Sequence, residues 1–543
     1  MMFNDLVKEC QEKYSRLKNI RANFEKDWED IATYIIPDRM GFSGTISPGS
    51  KTRRQMLDGI GEWSSNQLIN FVHGATTNPA SVWFRMSCYD EKLANKEANK
   101  QYLEYATNHL YSIFNNPKKK FYDNSHELYS DMIPFGTGLM YLENIPGNGL
   151  SFRSRFLKEC YIDENYDNIV DTVCREFTYT LQQIVQKFGR NVLTTELDQV
   201  YEKQPSREFT VLHCIFPRED REYGSLLQTN KPYASIHLLQ DSGIILSNSG
   251  FDRFPVIAAR WTKRSNEVYG RGPGSVAIAS VRMLQGMKGT TLKGGQKMVD
   301  PPLQAPDNTF LSPMNLTPGF VNYYNPIMGS DGAKQIITNS RPDFGIELIK
   351  EEKEAIKQAF FVDRISDQKN PNVEQTRTEY VGNQNQNLMF MAPQLGRIQS
   401  EYLGPLIEQT YFIEVSSGRL DPPPDDLKGK DILIQYKGPL AKAQQLARLN
   451  DVTGAIQTLV PLSSAFPEVM DPIDPDKLVN WVFQAYDTPP SVIKPEQEVK
   501  KLREQRKQQM EMQAQLEQAK LGSESVRNVA QLMPKGSGQR AIN

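Results

Sequence analysis

Between Gly272 and Asp300 the chain carries a stretch of helical length, PGSVAIASVRMLQGMKGTTLKGGQKMV, whose one charge before Lys288 is Arg282. Pro273 suits a first helical turn, where its missing N–H has no partner to lose. On a helix of period 3.6, Val276, Ala279, Met283, Met287 and Thr290 share one face and Ala277, Val281 and Leu284 the next, so the girth is apolar almost all round. Such a helix is expected to be buried on several sides. It also contains Gly286, Gly289, Gly294 and Gly295, and each glycine costs about 1 kcal/mol against alanine in a helix interior. Close packing of small residues against neighbouring helices offsets that cost, and those neighbours need not belong to the same chain. A buried helix of an ordinary monomer fits the same residues.

A second helix returns after a long excursion. Asp343, following Pro342, caps the run DFGIELIKEEKEAIKQAFF. Leu348, Ile349, Ala355, Ile356, Ala359 and Phe360 form its apolar stripe, while Glu347–Lys350, Lys350–Glu354 and Glu354–Lys357 are spaced to pair on the wet face. The intervening residues, 300 to 341, are rich in turn formers: Pro301-Pro302, Asp307-Asn308, Pro318-Gly319, Asn325-Pro326 and Asp331-Gly332. This spacing predicts a small separate module, with FVNYY and KQIITN as short strands. Phe310, Phe320, Tyr323 and Tyr324 make either its own small core or a docking surface.

The remainder of the chain predicts an α+β protein, predominantly helical. Leu6, Cys10, Tyr14, Leu17, Ile20, Phe24, Trp28, Ile31 and Ile35 recur at helical spacing until Pro37. Helices follow over 61–74, 92–114 and 122–133. From Gly138 the period changes to two, and LMYLEN, SFRSRF, CYIDE, VDTVCREFTYT, EFTVLHCIF, YASIHLL and GIILS read as strands of a mostly antiparallel sheet, with a short helix over 181–188. After the return helix come a polar loop over 363–370 and a long helix that Pro393 and Pro405 should kink. DILIQYKG is a strand; 440–460 and 475–486 are helices; the Lys-, Arg-, Gln- and Glu-rich residues 496–520 form a solvated or partly helical tail.

Several function classes are disfavoured. The 543 residues carry a formal net charge of −2 and no dominant basic domain, which argues against a tight nucleic-acid grip but suits a conduit with weak, balanced contacts. No run of eighteen apolar residues predicts a membrane span, and the charged start MMFNDLVKECQEK is not expected to act as a secretory leader. Cys10, Cys88, Cys160, Cys174 and Cys214 lack C-x-x-C spacing and read as reduced thiols of a cytosolic compartment; with the five scattered histidines they predict no metal centre. The segment Gly44…Gly49-Ser50-Lys51-Thr52 misses the phosphate-loop pattern because Ser50 intervenes before the lysine. Gly270, Gly272 and Gly274 miss the dinucleotide fingerprint, since position 275 is Ser and no βαβ unit continues. No cofactor is expected. Asn116-Pro117-Lys118-Lys119-Lys120 reads as a solvated basic turn or a phosphate contact.

Six segments, in this order, resemble the portal protein (head-to-tail connector) family of short-tailed bacteriophages. They are FEKDWEDIATYIIP, NFVHGATTNPASVWFRM, DMIPFGTGLMYLE, RWTKRSNEVYGRGPGSVAIASVRMLQ, NVEQTRTEYVGNQNQNLMFMAPQLGRIQSEYLGPLIEQTY and YKGPLAKAQQ. Where relatives commonly show a Thr-x-Thr-Glu tract of small residues, this chain has Thr376-Arg377-Thr378-Glu379. The resemblance implies a wing body over 1–271, stem helices over 272–298 and 344–362, and a clip over 299–343. It further implies a tunnel loop over 363–372, a kinked wing helix and return strand over 373–438, a crown over 439–510 and a polar tail over 511–543.

It also implies a ring of about twelve subunits at a capsid vertex of the virion, assembled in the host cytoplasm. Double-stranded DNA would be packaged and ejected through that ring, which would contact scaffold and major capsid protein and dock the terminase and then the tail adaptor. The family does not hydrolyse ATP. Under this resemblance Lys369, Asn370 and Asn372 of the tunnel loop, with Lys288 and Lys293, are the DNA-facing candidates. Met283, Gly286, Met287 and Gly289 are the subunit-packing candidates, and Phe310, Tyr323 and Tyr324 the clip-docking candidates. The competing reading is a nucleic-acid-processing or packaging enzyme, which would need a phosphate loop or a convergent carboxylate cluster. Asp425-Asp426 and Glu351-Glu352 are adjacent pairs whose side chains point apart.

Overall fold

The computed structural model describes residues 2–300 apart from positions within 43–48, 95, 146 and 222–226. It further describes 303–304, 314, 323, 334–335, 342–365, 390–430, 432–437, 449, 452–462, 466–485 and 498–513. The chain divides into two units, Met1–Ala441 and Lys442–Asn543.

In the first unit, helix α1 (Met2–Tyr34) is amphipathic along its whole length. Its first half buries Cys10, Tyr14 and Leu17 against Tyr161, Leu212, Phe216, Ile236 and Leu238 of a sheet; its second half sends Trp28, Ile31 and Ile35 into the main core. Midway, Arg21 is buried and stacks its guanidinium 3.6 Å from the Tyr161 ring. It donates to the carbonyls of Lys158 (2.6 Å) and Cys160 (3.0 Å) and pairs with Glu25, which satisfies its buried donors.

Helices α2 (Ile60–Thr76), α3 (Glu97–Phe114) and α4 (Phe121–Phe135) complete the helical half. The helix expected over 92–114 is broken: Glu91–Ala94 is a separate turn before α3. Strand β1 (Phe84–Cys88) lies between α2 and α3. After α4 come β2 (Thr137–Ile145), β3 (Gly149–Arg155), β4 (Cys160–Glu164) and β5 (Val170–Thr180). Next are α5 (Leu181–Phe188), capped reciprocally by Thr180 and Gln183, and α6 (Thr195–Lys203), which the periodicity did not reveal. The strands resume with β6 (Glu208–Pro217), β7 (Tyr233–Leu239), β8 (Ile245–Phe251) and β9 (Val256–Arg260).

All described pairings are antiparallel, but they form separate sheets: three strands ordered β3-β2-β9 and five ordered β4-β5-β6-β7-β8. Chain polarity alternation accounts for the antiparallel ladder. The break between sheets falls at the Leu157–Glu159 turn, whose carbonyls are taken by Arg21.

Helices α7 (Pro273–Val299) and α8 (Pro342–Ala359) lie side by side. Of the excursion between them, Leu303–Gln304 pairs antiparallel with Lys334–Gln335. The other proposed strand, FVNYY, lies outside the described residues except for Tyr323.

Helix α9 (Ala392–Ile398) then leads through a π-helical turn, Gln399–Leu403, into α10 (Gly404–Ser416). Pro393 occupies the first turn of α9 and so introduces no kink among the described residues. Pro405 has no N–H to return to the preceding turn, and the π-turn immediately before it absorbs the misfit. Strand β10 (Ile432–Tyr436) pairs with β1, Phe84 opposite Tyr436.

In the second unit, 452–462 and 498–513 are helical, with α11 (Pro475–Ala485) between them. Arg503 donates to Asp476 at 2.6 Å.

Candidate subunit-contact and channel region

Helix α7 starts on a joint made of main chain. Gly136 ends α4 at φ +95°, a conformation that glycine adopts freely. Gly270, Gly272 and Gly274 lie directly against that end. A Cβ on Gly272 would sit 2.9 Å from the Gly136 nitrogen and 3.0 Å from the Ile133 carbonyl carbon; one on Gly274 would sit 3.0 Å from Pro134. The Thr137 hydroxyl accepts from the Gly270 N–H at 2.8 Å, and Trp261 N–H donates to the Gly136 carbonyl at 3.0 Å. The glycine repeat therefore serves close approach of two helix ends, the N-terminus of α7 meeting the carbonyl end of α4, a favourable alignment of helix dipoles.

Further along, Gln285 clamps the 57–58 turn. Its Oε1 accepts from the N–H groups of Leu57 (2.6 Å) and Asp58 (3.0 Å), and its Nε2 donates to the Asp58 carbonyl at 2.7 Å. The Asp58 carboxylate receives Lys353 of α8 at 2.8 Å and Lys288 of α7 at 3.4 Å. Burial alone would raise its pKa, but hydrogen bonds from Lys353 and the Ile60 N–H prevail and hold it below the ordinary aspartate value.

These contacts bury only one side of α7: Ala277, Val281, Leu284 and Gln285. The opposite side is exposed as a continuous stripe, Val276, Ala279, Met283, Gly286, Thr290, Lys293 and Lys297, at spacings of three and four. Val276, in the first turn of α7, is 72% exposed, an unpaired apolar surface. Leu292, Met298, Val299 and Ile346 of α8 are exposed too. The expectation of burial on several sides is not met within one chain.

The predicted packing residues divide accordingly. Met283 and Gly286 are on the open stripe, and nothing lies within 4 Å of a Cβ placed on Gly286. Met287 packs against the main core, and a Cβ on Gly289 would meet Leu57 of the same chain at 3.2 Å. Of the channel candidates, Lys293 is exposed on the stripe, whereas Lys288 is drawn to Asp58. Lys369, Asn370 and Asn372 lie outside the described residues, as do Phe310 and Tyr324. Tyr323 is described and is 70% exposed.

The sequence reading missed the ion network that fixes the π-turn to the sheets. Arg260, at the end of β9, is 4% exposed; it donates to Glu401 through Nε (3.0 Å) and Nη2 (3.2 Å) and to Glu164 through Nη1 (2.7 Å). Lys263 also reaches Glu164 and Arg397 reaches Glu401, each at 2.8 Å. Arg397 and Glu401 are four apart on one helix, but Glu164, Arg260 and Glu401 lie far apart in sequence, so no local spacing signals the network that joins them. Among the described residues no group of three His, Cys, Asp or Glu side chains could hold a metal ion, and no helix is long and apolar enough to cross a membrane.

Comparison with known proteins gives a consistent picture. The portal protein of Salmonella phage epsilon15 is 28% identical over 502 residues, spanning 91% of this chain and 90% of that protein. The probable portal protein of Bordetella phage BPP-1 is 27% identical over 508 residues, spanning 92% and 91%. A chain from the virion of a native gene transfer agent particle matches at 11% identity and a TM-score of 0.34, covering 73% of this chain and 86% of that one, a likeness too loose to bear on the fold. The model of the bacteriophage head to tail connecting protein family matches residues 7–493. With nearly the whole first unit and much of the second inside that match, the chain belongs to the family of bacteriophage portal proteins, the head-to-tail connectors of the virion.

Proposed function

We propose that this chain assembles into a closed ring of about twelve copies whose central channel passes double-stranded DNA into and out of the capsid. As a portal-family protein it is a structural, non-enzymatic component of the virion at the portal vertex. The observation that carries the ring is the open stripe of α7. Val276, Ala279, Met283 and Gly286 form an uncharged, small-to-apolar face that the chain does not cover, and a heterologous contact repeated around an axis covers it in every copy. Glycine and alanine on that face let a neighbouring helix approach closely.

In this reading Lys293 and Lys297 end the stripe with positive charge, and the tunnel-loop residues Lys369, Asn370 and Asn372 touch passing DNA weakly. The clip, with Phe310, Tyr323 and Tyr324, docks the terminase and then the tail adaptor, and the capsid and scaffold proteins surround the wing.

The test is native mass and negative-stain imaging of the purified chain beside Gly286→Leu. Rings from the unmodified protein, and monomers of unchanged melting temperature from the variant, support the reading. Rings of equal stability from Gly286→Leu would overturn the packing face, and a chain that stays monomeric with scaffolding protein present would overturn the ring.

A further inference from the structure

Where the three-stranded and five-stranded sheets meet, a row of basic side chains lies between two apolar clusters. On the five-stranded sheet, Arg175, His213 and His237 are direct cross-strand neighbours on β5, β6 and β7. On one side of that row lie Val173 and Ile215 of the main core, and on the other Phe177, Val211 and Leu239 of a smaller cluster. The two imidazoles stack at 3.7 Å with 10° between their planes. Opposite them, Tyr141 of β2 meets the His213 ring edge-on at 6.3 Å, and Arg153 and Arg155 extend from β3 on the Tyr141 face. The Arg155 guanidinium lies 5.2 Å from the Tyr141 ring. From α5, Phe188 packs 5.0 Å from His237, and the Lys187 ammonium lies 5.1 Å from Phe188.

Arg155 and Arg175 are half-buried and Arg153 and Lys187 exposed at the rim, with Glu143 and Glu159 the acids beside them and burial holding both histidines neutral. Glu159 is taken by Arg175 at 2.7 Å. Among the described residues neither Arg155 nor Lys187 has a hydrogen bond or ion pair; each has only an aromatic face beside it. His213 meets the Ser235 hydroxyl at 3.0 Å, but Nδ1 of His237 is buried, in a side chain 8% exposed, and has no partner. Burial, and beyond it the neighbouring cations, depress the pKa of Arg155 and of both imidazoles, and burial depresses that of Lys187. The half-buried Arg155 and the exposed Lys187 at the cleft's mouth lack an anionic partner among the described residues; a bound anion would supply one.

We propose that this inter-sheet cleft binds one phosphate-type oxyanion, held by Arg155, Lys187 and His237. The donor set suits that chemistry: a planar guanidinium fork, a compact ammonium and an imidazole N–H, converging from three elements, match an anion with several acceptor oxygens. The imidazoles are more than nine-tenths buried, so a free phosphate or phosphate monoester reaches them where the backbone of a duplex does not.

Calorimetry and phosphorus NMR of the full chain, exchanged into phosphate-free buffer, test this with inorganic phosphate, chloride at matched ionic strength and a short DNA duplex. Saturable phosphate binding is expected, weakened about tenfold or more in Arg155→Leu and in Lys187→Met. Both variants should melt no lower than the unmodified chain without phosphate and lower than it with phosphate saturating, so that the curves cross. The Arg397→Ala variant, altered outside the cleft, should bind phosphate as the unmodified chain does. Absence of saturable binding beyond chloride, equal affinity in the cleft variants, or binding of the duplex in preference to phosphate would each overturn the proposal.

Discussion

The Lys353 ammonium lies 2.8 Å from the Asp58 carboxylate, so the return helix α8 is tied to the same turn that Gln285 of α7 grips with three hydrogen bonds. Asp58 thus stands between α7 and α8. Its folded-state pKa is depressed, so its contribution to stability is present above the ordinary aspartate pKa near 3.8 and is lost as pH falls below it. The Asp58→Asn variant should be less stable than the parent at pH 7 by about 1 kcal/mol, the pair being part-exposed. The difference should shrink toward pH 3, as read from urea midpoints across that range.

Asp131 behaves in the opposite sense. It is fully buried beside Arg39 (3.3 Å), and burial raises its pKa to about 7, a rise that Arg39 only partly opposes. The folded protein then holds a proton that the unfolded chain releases near 3.8, so stability falls as pH rises between those values. The slope from this group approaches about 1.4 kcal/mol per pH unit inside that window. Asp131→Asn should remove that slope and be relatively more stable at pH 8 than at pH 5, as measured by melting temperature at both.

Removing one partner from the Arg260 network leaves a buried charge. Glu401→Ala should cost about 3–5 kcal/mol in chemical denaturation. Arg397→Ala, which removes a partly exposed partner of the same carboxylate, should cost about 1 kcal/mol or less. Equal losses would show that burial of Arg260 does not govern the network.

Glycines at the start of α7 and near its end should respond with opposite signs. Gly272→Ala would drive its methyl into the Ile133 carbonyl and the Gly136 nitrogen, and the folded yield should fall sharply. Nothing lies within 4 Å of a Cβ at Gly294, so Gly294→Ala should stabilise the isolated chain by up to about 1 kcal/mol. Thermal melts of the two variants decide the contrast.

Replacing Lys369 and Asn370 together by Ala should leave ring formation intact and reduce the DNA retained in assembled particles. An unchanged packaged-DNA yield would remove these residues from the channel.

The helices and strands that carry strong periodicity were legible before any coordinates. The spacing from Leu6 to Ile35 matched α1, and VDTVCREFTYT matched β5 residue for residue. Two kinds of feature were not. Helix α6 spans nine residues, and its apolar side is only Leu197, Val200 and Tyr201, none of them fully buried, a pattern too short to stand out. The proline rule located the deformation near Pro405 but not its form, a π-turn over Gln399–Leu403 held by tertiary bonds such as Tyr436 to the Gln399 carbonyl (2.9 Å). In α7, composition revealed an unusual helix but not which side stays open. That depends on Gln285 finding Leu57 and Asp58, some 227 residues away.

The joint between α4 and α7 has a mechanical corollary. Its closest approaches are between peptide groups of Ile133, Pro134, Gly136, Gly270 and Gly272, braced by the Thr137 hydroxyl. Side chains can change rotamer and yield; abutting peptide planes have no such slack. A push along α7 is therefore delivered undiminished into α4 and, through Thr137, into β2. Helices α4 and α7 and strand β2 move as one lever, and whatever compliance this part of the chain has must reside outside the joint.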